Sequence, residues 1–335
     1  MSTRLDSKYF TLDENILTLE EYLRAKQWID TEEKILQIER AGEGNMNCTF
    51  RVYTDAASFI LKQSRPWVEK YPSIMAPFDR IYSEHLYYTI CSSQPLLQRM
   101  MPKCLRFDKN NRILMLSDLG REGDCLSLYQ GEELSYSNTN KLLLYLHTLH
   151  RIKLDNDNKK ALLNQEMKDL NHFHIFDFPL QNENGLNLDT FTPGLEDVAQ
   201  SLKNDLSYVA RVKECGKIYL ENGDHLLHGD FYPGSWIKKE KDLYVIDPEF
   251  CFLGAREFDL GVFHAHLCIS RAHISKEVCF DAYEGFQDLD MRLVYCFSGI
   301  EVMRRLIGVA QLPLDYSLEQ KSRLLEGAKK LVLDA

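Results

Sequence analysis

Short strand-like runs of apolar and β-forming residues predict five β-strands in the first third of the chain. Each stretch is short and contains β-branched or aromatic residues, which favour strands. The predicted strands are residues 35–39, 49–54, 58–63, 103–107 and 112–116. Together they predict one sheet of a usual size.

Elsewhere apolar residues recur every three to four positions, which predicts helices. Thr18 and Glu21 have the spacing of a capping box, so we expect the first helix to begin there. The predicted helices are residues 18–28, 78–90, 141–150, 194–215 and 291–311. The fourth should end at Gly216, a common residue at helix ends. Residues 154–193 are polar and predict an insertion or a long loop.

Length and composition restrict both the fold and the function. A chain of 335 residues, 44% of them apolar, can bury a large core and is expected to form two lobes. We place an N-lobe at residues 1–116, where the strands lie, and a helical C-lobe at residues 117–335, which makes the class α+β. The net charge of −10 argues against a nucleic-acid partner, because phosphate binding needs clustered Lys and Arg.

No feature of the sequence predicts a membrane or secreted protein. No apolar run approaches the roughly 18 residues that a membrane span needs, and the N-terminus lacks the pattern of a signal peptide. The nine cysteines are scattered and form no Cys-x-x-Cys pair. This fits a reducing compartment better than a disulfide framework. We therefore expect a cytoplasmic protein without a membrane partner.

The densest group of acids beside turn residues lies in residues 228–261. Phosphoryl transfer to a hydroxyl needs a carboxylate for the hydroxyl proton and oxygen ligands for Mg²⁺. Asp230, at the end of a strand-like run, suits the first task. Asp247 and Glu249 suit the second, because alternate residues leaving a strand point to the same side, and Ser235 could add its hydroxyl. For any single acid, the alternative is an ordinary turn or cap.

A second group of candidates lies in the N-lobe. A turn rich in Gly and Asn joins the first two strands, and its free backbone N–H groups could cover phosphates. Its candidate residues are Gly42, Gly44, Asn45 and Asn47. Such turns are common, and the full Gly-x-Gly-x-x-Gly pattern is absent. The third strand, however, carries Lys62 where a kinase places its phosphate-binding lysine, and Glu84 on the next helix could pair with it.

In this order the motifs resemble those of the aminoglycoside-phosphotransferase-like kinases, and most closely the 5-methylthioribose kinases. The resemblance rests on His-Gly-Asp, Gly-Ser, Ile-Asp-Pro-Glu-Phe and Phe-Asp-x-Gly within residues 228–261. It implies that Asp230 is the catalytic base and that Asp247 and Glu249 hold Mg²⁺. It also implies that Asp259 braces the catalytic loop, for which a plain helix N-cap is the alternative.

The resemblance adds candidates on two other segments. In the family, the hinge between the lobes binds adenine through its backbone, and this hinge corresponds here to residues 117–120, including Ser117 and Leu119. Arg304 and Arg305 match an arginine pair that contacts the substrate and the transferring phosphate. Two adjacent residues point about 100° apart on a helix, so spacing alone favours a solvated pair instead.

The resemblance implies a two-lobed protein-kinase-like fold and transfer of the γ-phosphate of ATP, with Mg²⁺, to a hydroxyl of a small molecule. The most specific expectation is phosphorylation of 5-methylthioribose to 5-methylthioribose 1-phosphate. Because methylthioribose kinases are dimers, a homodimer is a further expectation. Residues 231–235 depart from the family's Leu-His-Thr-Gly-Ser through Tyr232 and Pro233, which leaves the acceptor open. The alternatives are a kinase of another sugar or amino alcohol, and a nucleotide-binding homologue without catalysis.

Histidines near the candidate acids suggest one other kind of site, a zinc cluster. The four residues are His225, His228, His264 and His266. Their spacing matches no standard zinc site, and no cysteine pair assists them. We expect His228 to brace the loop and the other three to be structural.

Overall fold

The computed structural model describes residues 9–42, 46–121, 123–277 and 280–335. The chain divides into two compact units, Met1–Arg121 and Glu122–Ala335. Each unit has its own core of buried apolar side chains. The expected hinge, residues 117–120, lies at the end of the first unit.

The N-terminal unit is built on an antiparallel sheet. Its strands are β1 (Ile35–Arg40), β2 (Cys48–Thr54), β3 (Ser58–Gln63), β4 (Trp67–Val68), β5 (Tyr71–Met75), β6 (Cys104–Asp108) and β7 (Ile113–Ser117). Five of them form one sheet in the order β1-β2-β3-β7-β6, while β4 and β5 form a separate hairpin. Alternate residues of β2 are buried, as expected for a strand with one face on a core. The predicted five-stranded sheet is therefore confirmed.

Helices of this unit are α1 (Ile16–Ala25), α2 (Arg80–Cys91) and α3 (Pro95–Arg99). Helix α1 begins before the predicted capping box, so the prediction that this helix starts at Thr18 is wrong. Asn15 is the N-cap, and its side chain accepts a hydrogen bond from the backbone N–H of Thr18. Thr18 therefore lies inside the first turn, because an earlier residue already satisfies its N–H group.

The C-terminal unit is mainly helical. Its helices are α4 (Tyr136–His150), α5 (Asn156–Ala161), α6 (Gln165–His172), α7 (Leu195–Lys203), α8 (Leu206–Leu220), α9 (Glu257–Ser270), α10 (Met291–Ile307) and α11 (Leu318–Leu333). Helix α9 is buried from Phe258 to Ile269. Helix α10 packs against both α9 and α11, so one side of the unit is a three-helix core.

Two predictions for this unit are wrong. The single helix expected at residues 194–215 is two helices, because the Asp205 side chain accepts a hydrogen bond from the N–H of Tyr208 and starts α8. Gly216 does not end a helix. It lies buried within α8, where an added Cβ would come 2.7 Å from the His172 ring. For the segment 154–193, the long-loop alternative is also wrong, since the segment contains α5 and α6, while the insertion stays a prediction.

Two short antiparallel ribbons carry the loops of the candidate active site. In the first, strand β8 (His225–Leu227) pairs with β11 (Phe252–Gly254). In the second, β9 (Trp236–Lys239) pairs with β10 (Asp242–Val245). The two loops that pass from one ribbon to the other, residues 228–235 and 246–251, contain the predicted acids.

Two further expectations concern disulfide bonds and membrane-spanning helices. The sulfur atoms of Cys215 and Cys296 are paired in the C-terminal core, with Cα atoms 7.2 Å apart. This pairing was not predicted, and both residues are buried. Among the described helices, none combines the length and apolar character that crossing a bilayer requires.

Candidate active site

A buried carboxylate holds the backbone of the His228-Gly229-Asp230 loop by hydrogen bonds. Asp259 on α9 accepts hydrogen bonds from the backbone N–H groups of His228 (2.7 Å) and Gly229 (3.0 Å). His150 lies 3.1 Å from the same carboxylate. The N-cap of α9 is Arg256, so the N-cap alternative for Asp259 is wrong and Asp259 does brace the loop. The ring of His228 in turn contacts the carbonyl oxygen of Ile246 at 3.0 Å.

The two acid-bearing loops are in direct contact. Gly229 has φ +85°, and a Cβ there would fall on the carbonyl group of Phe250. Asp247 is in the left-handed region, with φ 61° and ψ 51°, and the next three residues form one 3₁₀ turn. Asp247 and Glu249 are therefore not alternate residues of an extended strand, and the argument that placed them on one side is wrong. The loop that carries them packs against the Asp230 loop where Phe250 meets Gly229.

An arginine pair holds the Asp230 carboxylate. The Nη2 atoms of Arg304 and Arg305 donate to the same Oδ1 atom of Asp230, at 2.9 and 2.7 Å. Their side chains are only 5% and 6% exposed, whereas that of Asp230 is 19% exposed. The solvated-pair interpretation is therefore wrong. The expected 100° separation does not prevent convergence, because both long side chains bend towards one oxygen.

Glu301, which the sequence analysis missed, lies beneath the arginine pair. One carboxylate oxygen accepts from Nε of Arg304, and the other accepts from Nε of Arg305 at 2.7 Å. Burial would raise the pKa of Glu301, but the two guanidinium charges outweigh burial and hold this pKa well below its usual range. The acid stands three and four residues before the arginines, the spacing of helical ion pairs. That spacing is the signal that could have identified it.

Two residues of segment 231–235, where the sequence departs from the family pattern, contact Arg305 and Asp230. The ring of Tyr232 lies 4.4 Å from the guanidinium carbon of Arg305, a cation–π contact. The hydroxyl of Ser235 donates to the backbone carbonyl of Asp230 at 3.1 Å, which tightens the loop. Burial would lower the pKa of Arg305, but the charges of Asp230 and Glu301 raise it overall.

The N-terminal unit contains a buried ion pair of its own. Nζ of Lys62 on β3 lies 2.7 Å from Oε1 of Glu84 on α2, and both side chains are buried. The structure thus places the pair that the kinase pattern predicted. Upstream, Gly42 has φ +72° and Asn47 is buried. The predicted residues Gly44 and Asn45 lie outside the described residues.

The expected hinge is tied to the sheet of the same unit. The hydroxyl of Ser117 accepts a hydrogen bond from the N–H of Lys103 at 2.8 Å. Arg51 on β2 donates to the Asp118 carboxylate at 3.1 Å and to the carbonyl of Gly120. Leu119, between these two anchored residues, is half-buried. The backbone of this segment is therefore held in place.

The four histidines do not form a zinc cluster. His225 contacts the carbonyl of His150, His264 contacts two serines, and His266 contacts Tyr129 and Glu301. Across the described parts of the chain, no group of three or more His, Cys, Asp or Glu side chains could hold a metal ion.

His264 should make stability depend on pH. Burial lowers its pKa from 6.5 to about 4, so the folded protein keeps it neutral while the unfolded chain protonates it. Its stabilising contribution is complete above pH 6.5 and decreases as the pH falls towards 4, by up to roughly 1 kcal/mol per pH unit. Urea unfolding of the wild type and His264→Gln at several pH values should show a smaller slope in the variant. Parallel pH profiles would contradict this assignment.

The fold is the one shared by aminoglycoside phosphotransferases and choline kinase. A spectinomycin phosphotransferase in complex with ADP and spectinomycin has a TM-score of 0.55 at 13% identity, over 94% of this chain and 97% of that chain. A choline kinase from Cryptosporidium parvum Iowa II has a TM-score of 0.54 at 12% identity, over 95% of this chain and 96% of that chain. The predicted kinase-like fold class is therefore confirmed.

At the level of sequence, the chain is similar to methylthioribose kinases. It is 25% identical to methylthioribose kinase from Geobacillus sp. (strain WCH70), over 89% of this chain and 84% of that protein. It is 26% identical to methylthioribose kinase 1 from Oryza sativa subsp. japonica, over 70% of this chain and 56% of that protein. No protein-family model matches the chain.

Proposed function

We propose that this protein is an ATP-dependent kinase of a small molecule, and specifically that it phosphorylates 5-methylthioribose to 5-methylthioribose 1-phosphate. The similarity to methylthioribose kinases over most of the chain supports the substrate. The observation that carries the proposal is the Asp230 carboxylate, held by two arginines on a loop that Asp259 braces. Such a carboxylate can accept the proton of an attacking hydroxyl.

Each candidate residue of the C-terminal unit then has a proposed role. Both arginines donate to Oδ1 of Asp230, so we assign proton acceptance to Oδ2. Arg304 and Arg305 carry positive charge beside this base, where they would bind the acceptor and the transferring phosphate. Asp259 keeps the loop in one conformation through two backbone hydrogen bonds, which reduces the cost of orienting the reacting groups.

In the N-terminal unit, Lys62 would steady the nucleotide phosphates. Glu84 holds the lysine by an ion pair of 2.7 Å, so that its ammonium group has a fixed position. The remaining proposed nucleotide contacts are backbone groups of two segments. These are Gly42, Gly44, Asn45 and Asn47 in the turn, and Ser117 and Leu119 in the hinge.

Mg²⁺ fits the donors of the two acid-bearing loops, with Asp247 and Glu249 on the second loop and Ser235 on the first. Asp247 and Glu249 supply carboxylate oxygens and Ser235 a hydroxyl, which are the hard ligands this ion prefers. The described residues contain no group that could hold a metal alone, and Mg²⁺ is usually bound by one or two carboxylates together with nucleotide phosphates. When bound, the ion would neutralise phosphate charge during transfer.

A coupled ADP-release assay tests the proposal. The purified protein with ATP and Mg²⁺ is offered methylthioribose, ribose, choline and spectinomycin in parallel. We expect turnover with methylthioribose well above the rate without acceptor. Turnover of a different acceptor alone would overturn the methylthioribose assignment and favour the second candidate, a kinase of another alcohol. The contact of Tyr232 with Arg305, made by a residue that departs from the family pattern, favours that candidate.

A further inference from the structure

A chain of buried polar groups extends from the arginine pair into the core of the C-terminal unit. Glu301 on α10 is 1% exposed and accepts from Nε of both arginines. Its Oε1 atom also lies 3.0 Å from Nε2 of His266 on α9. The other ring nitrogen of His266 lies 2.6 Å from the hydroxyl of Tyr129. These contacts thus link α10 to α9 through Glu301 and His266, and α9 to Tyr129 through the other nitrogen of His266.

The charge of each group determines which atom carries the hydrogen in the hydrogen bonds from Glu301 through His266 to Tyr129. Because Glu301 is ionised beside two guanidinium groups, it can only accept hydrogen bonds. Nε2 of His266 must therefore carry a hydrogen. Burial lowers the pKa of His266 to about 4, so the ring is neutral and Nδ1 is an acceptor. Tyr129 must then donate its hydroxyl hydrogen to Nδ1, and each group in the chain has one consistent role.

The same carboxylate determines where the guanidinium groups lie. Glu301 binds the Nε side of both planar groups, while their Nη2 atoms reach Asp230. A planar guanidinium fixed on one side presents its other donors in a known direction. Two acids also balance two like charges that would otherwise repel each other at close range. Without Glu301, both the position and the charge balance of the arginine pair would change.

We propose that Glu301, held by His266 and Tyr129, is a positioning residue for the acceptor site and sets the arginine pair in the geometry that meets Asp230. The proposal rests on the proposed function in so far as these arginines bind the acceptor. Apart from the transferring phosphate, which the arginines would also contact, the nucleotide contacts are assigned to other segments. A defect at Glu301 should therefore affect the acceptor and spare ATP.

Steady-state kinetics of Glu301→Gln test this separation. The amide keeps the size of the side chain but turns one acceptor into an N–H donor, so one guanidinium loses its partner. We expect the KM for methylthioribose to rise roughly tenfold or more, as for loss of a hydrogen bond to a charged group, while the KM for ATP stays within about twofold. Glu301→Asp, which keeps the charge, should recover part of the affinity. An active Glu301→Gln enzyme with an unchanged acceptor KM overturns the inference and leaves the proposed function intact.

A second pair of variants tests the roles of His266 and Tyr129, which lie behind Glu301. Tyr129→Phe removes the hydroxyl that orients His266, and we expect a smaller rise in the acceptor KM. The matched control is Tyr208→Phe in the same core, a buried tyrosine whose hydroxyl has no hydrogen-bond partner among the described residues. Equal acceptor KM values in the two variants would remove Tyr129 and His266 from the inference. Melting curves of each variant separate a loss of folded protein from a change in affinity.

Arginine labelling provides a readout that needs no activity. Phenylglyoxal modification followed by peptide mapping should show Arg304 and Arg305 protected in the wild type, with Arg323, whose side chain is 69% exposed, as the reactive internal standard. In Glu301→Gln the protection should fall at least severalfold. If the wild type phosphorylates no acceptor, the proposed function fails and labelling alone decides the inference. Unchanged protection in Glu301→Gln would then overturn it.

Discussion

Asp230→Asn should lower kcat about 10²-fold to 10⁴-fold, the usual loss when a positioned general base is removed. The amide oxygen can still accept hydrogen bonds from Arg304 and Arg305, so the loop should keep its conformation. It cannot take up the proton of the attacking hydroxyl. The measurement is the ADP-release rate at saturating ATP and acceptor, with thermal melting to show that the variant is folded.

Asp224→Asn is the matched control for this variant. Asp224 lies in the same unit, its side chain is 85% exposed, and its ion pair with Lys159 is at the surface. Its kcat should equal that of the wild type. If Asp230→Asn also retained most of its kcat, Asp230 would not be the base. If neither protein released ADP above background, the alternative of a nucleotide-binding homologue without catalysis would be favoured.

The sheet of the N-terminal unit could be predicted because its signal is local. Alternate residues of β2 are buried and β3 occupies the predicted residues 58–63, since a strand with one buried face must alternate in sequence. The pairing of β3 with β7 could not be derived in this way. It depends on contacts between segments that are far apart in the sequence.

In the candidate site, too, local sequence patterns predicted some residues, while others depend on partners that are distant in the sequence. Lys62 and Glu84 were predicted as a pair from the kinase pattern, and the structure joins them. The spacing of Arg304 and Arg305 alone pointed to solvent, because their partner Asp230 is 74 and 75 residues away in sequence. Spacing describes a helix surface but does not say which distant acid lies against it.

Backbone geometry accounts for the remaining errors. The strand argument for Asp247 and Glu249 failed because Asp247 adopts φ 61° and turns the chain into a 3₁₀ turn. Asp and Asn tolerate this region better than most residues, so the sequence permitted the turn without requiring it. Gly216 was interpreted as a helix end, whereas close packing against His172 explains the glycine. For Gly216 the deciding contact comes from another element, helix α6.

Gly229→Ala should destabilise the protein strongly and displace Asp230, the proposed base. Gly229 has φ +85°, where a Cβ costs roughly 1–2 kcal/mol. The new methyl group would also overlap the Phe250 carbonyl group, and forcing an extra carbon into a packed site costs about 1–3 kcal/mol or more. Because Phe250 belongs to the 3₁₀ turn after Asp247, the overlap can be relieved only by displacing one of the two acid-bearing loops. Displacement of Asp230 by about 1 Å would lower kcat roughly 10²-fold.

Gly185→Ala separates the two contributions in this prediction. Gly185 has φ +80°, close to that of Gly229, but no atom of the described structure lies within 4 Å of the added Cβ. Both variants bear the cost of the left-handed backbone, and only Gly229→Ala bears the overlap. Urea unfolding should therefore show a small loss of stability for Gly185→Ala and a loss larger by several kcal/mol for Gly229→Ala, with kcat reduced only in the latter. Equal unfolding midpoints would mean that the two loops are not packed against each other, and the placement of Asp247 and Glu249 beside the base would lose its support.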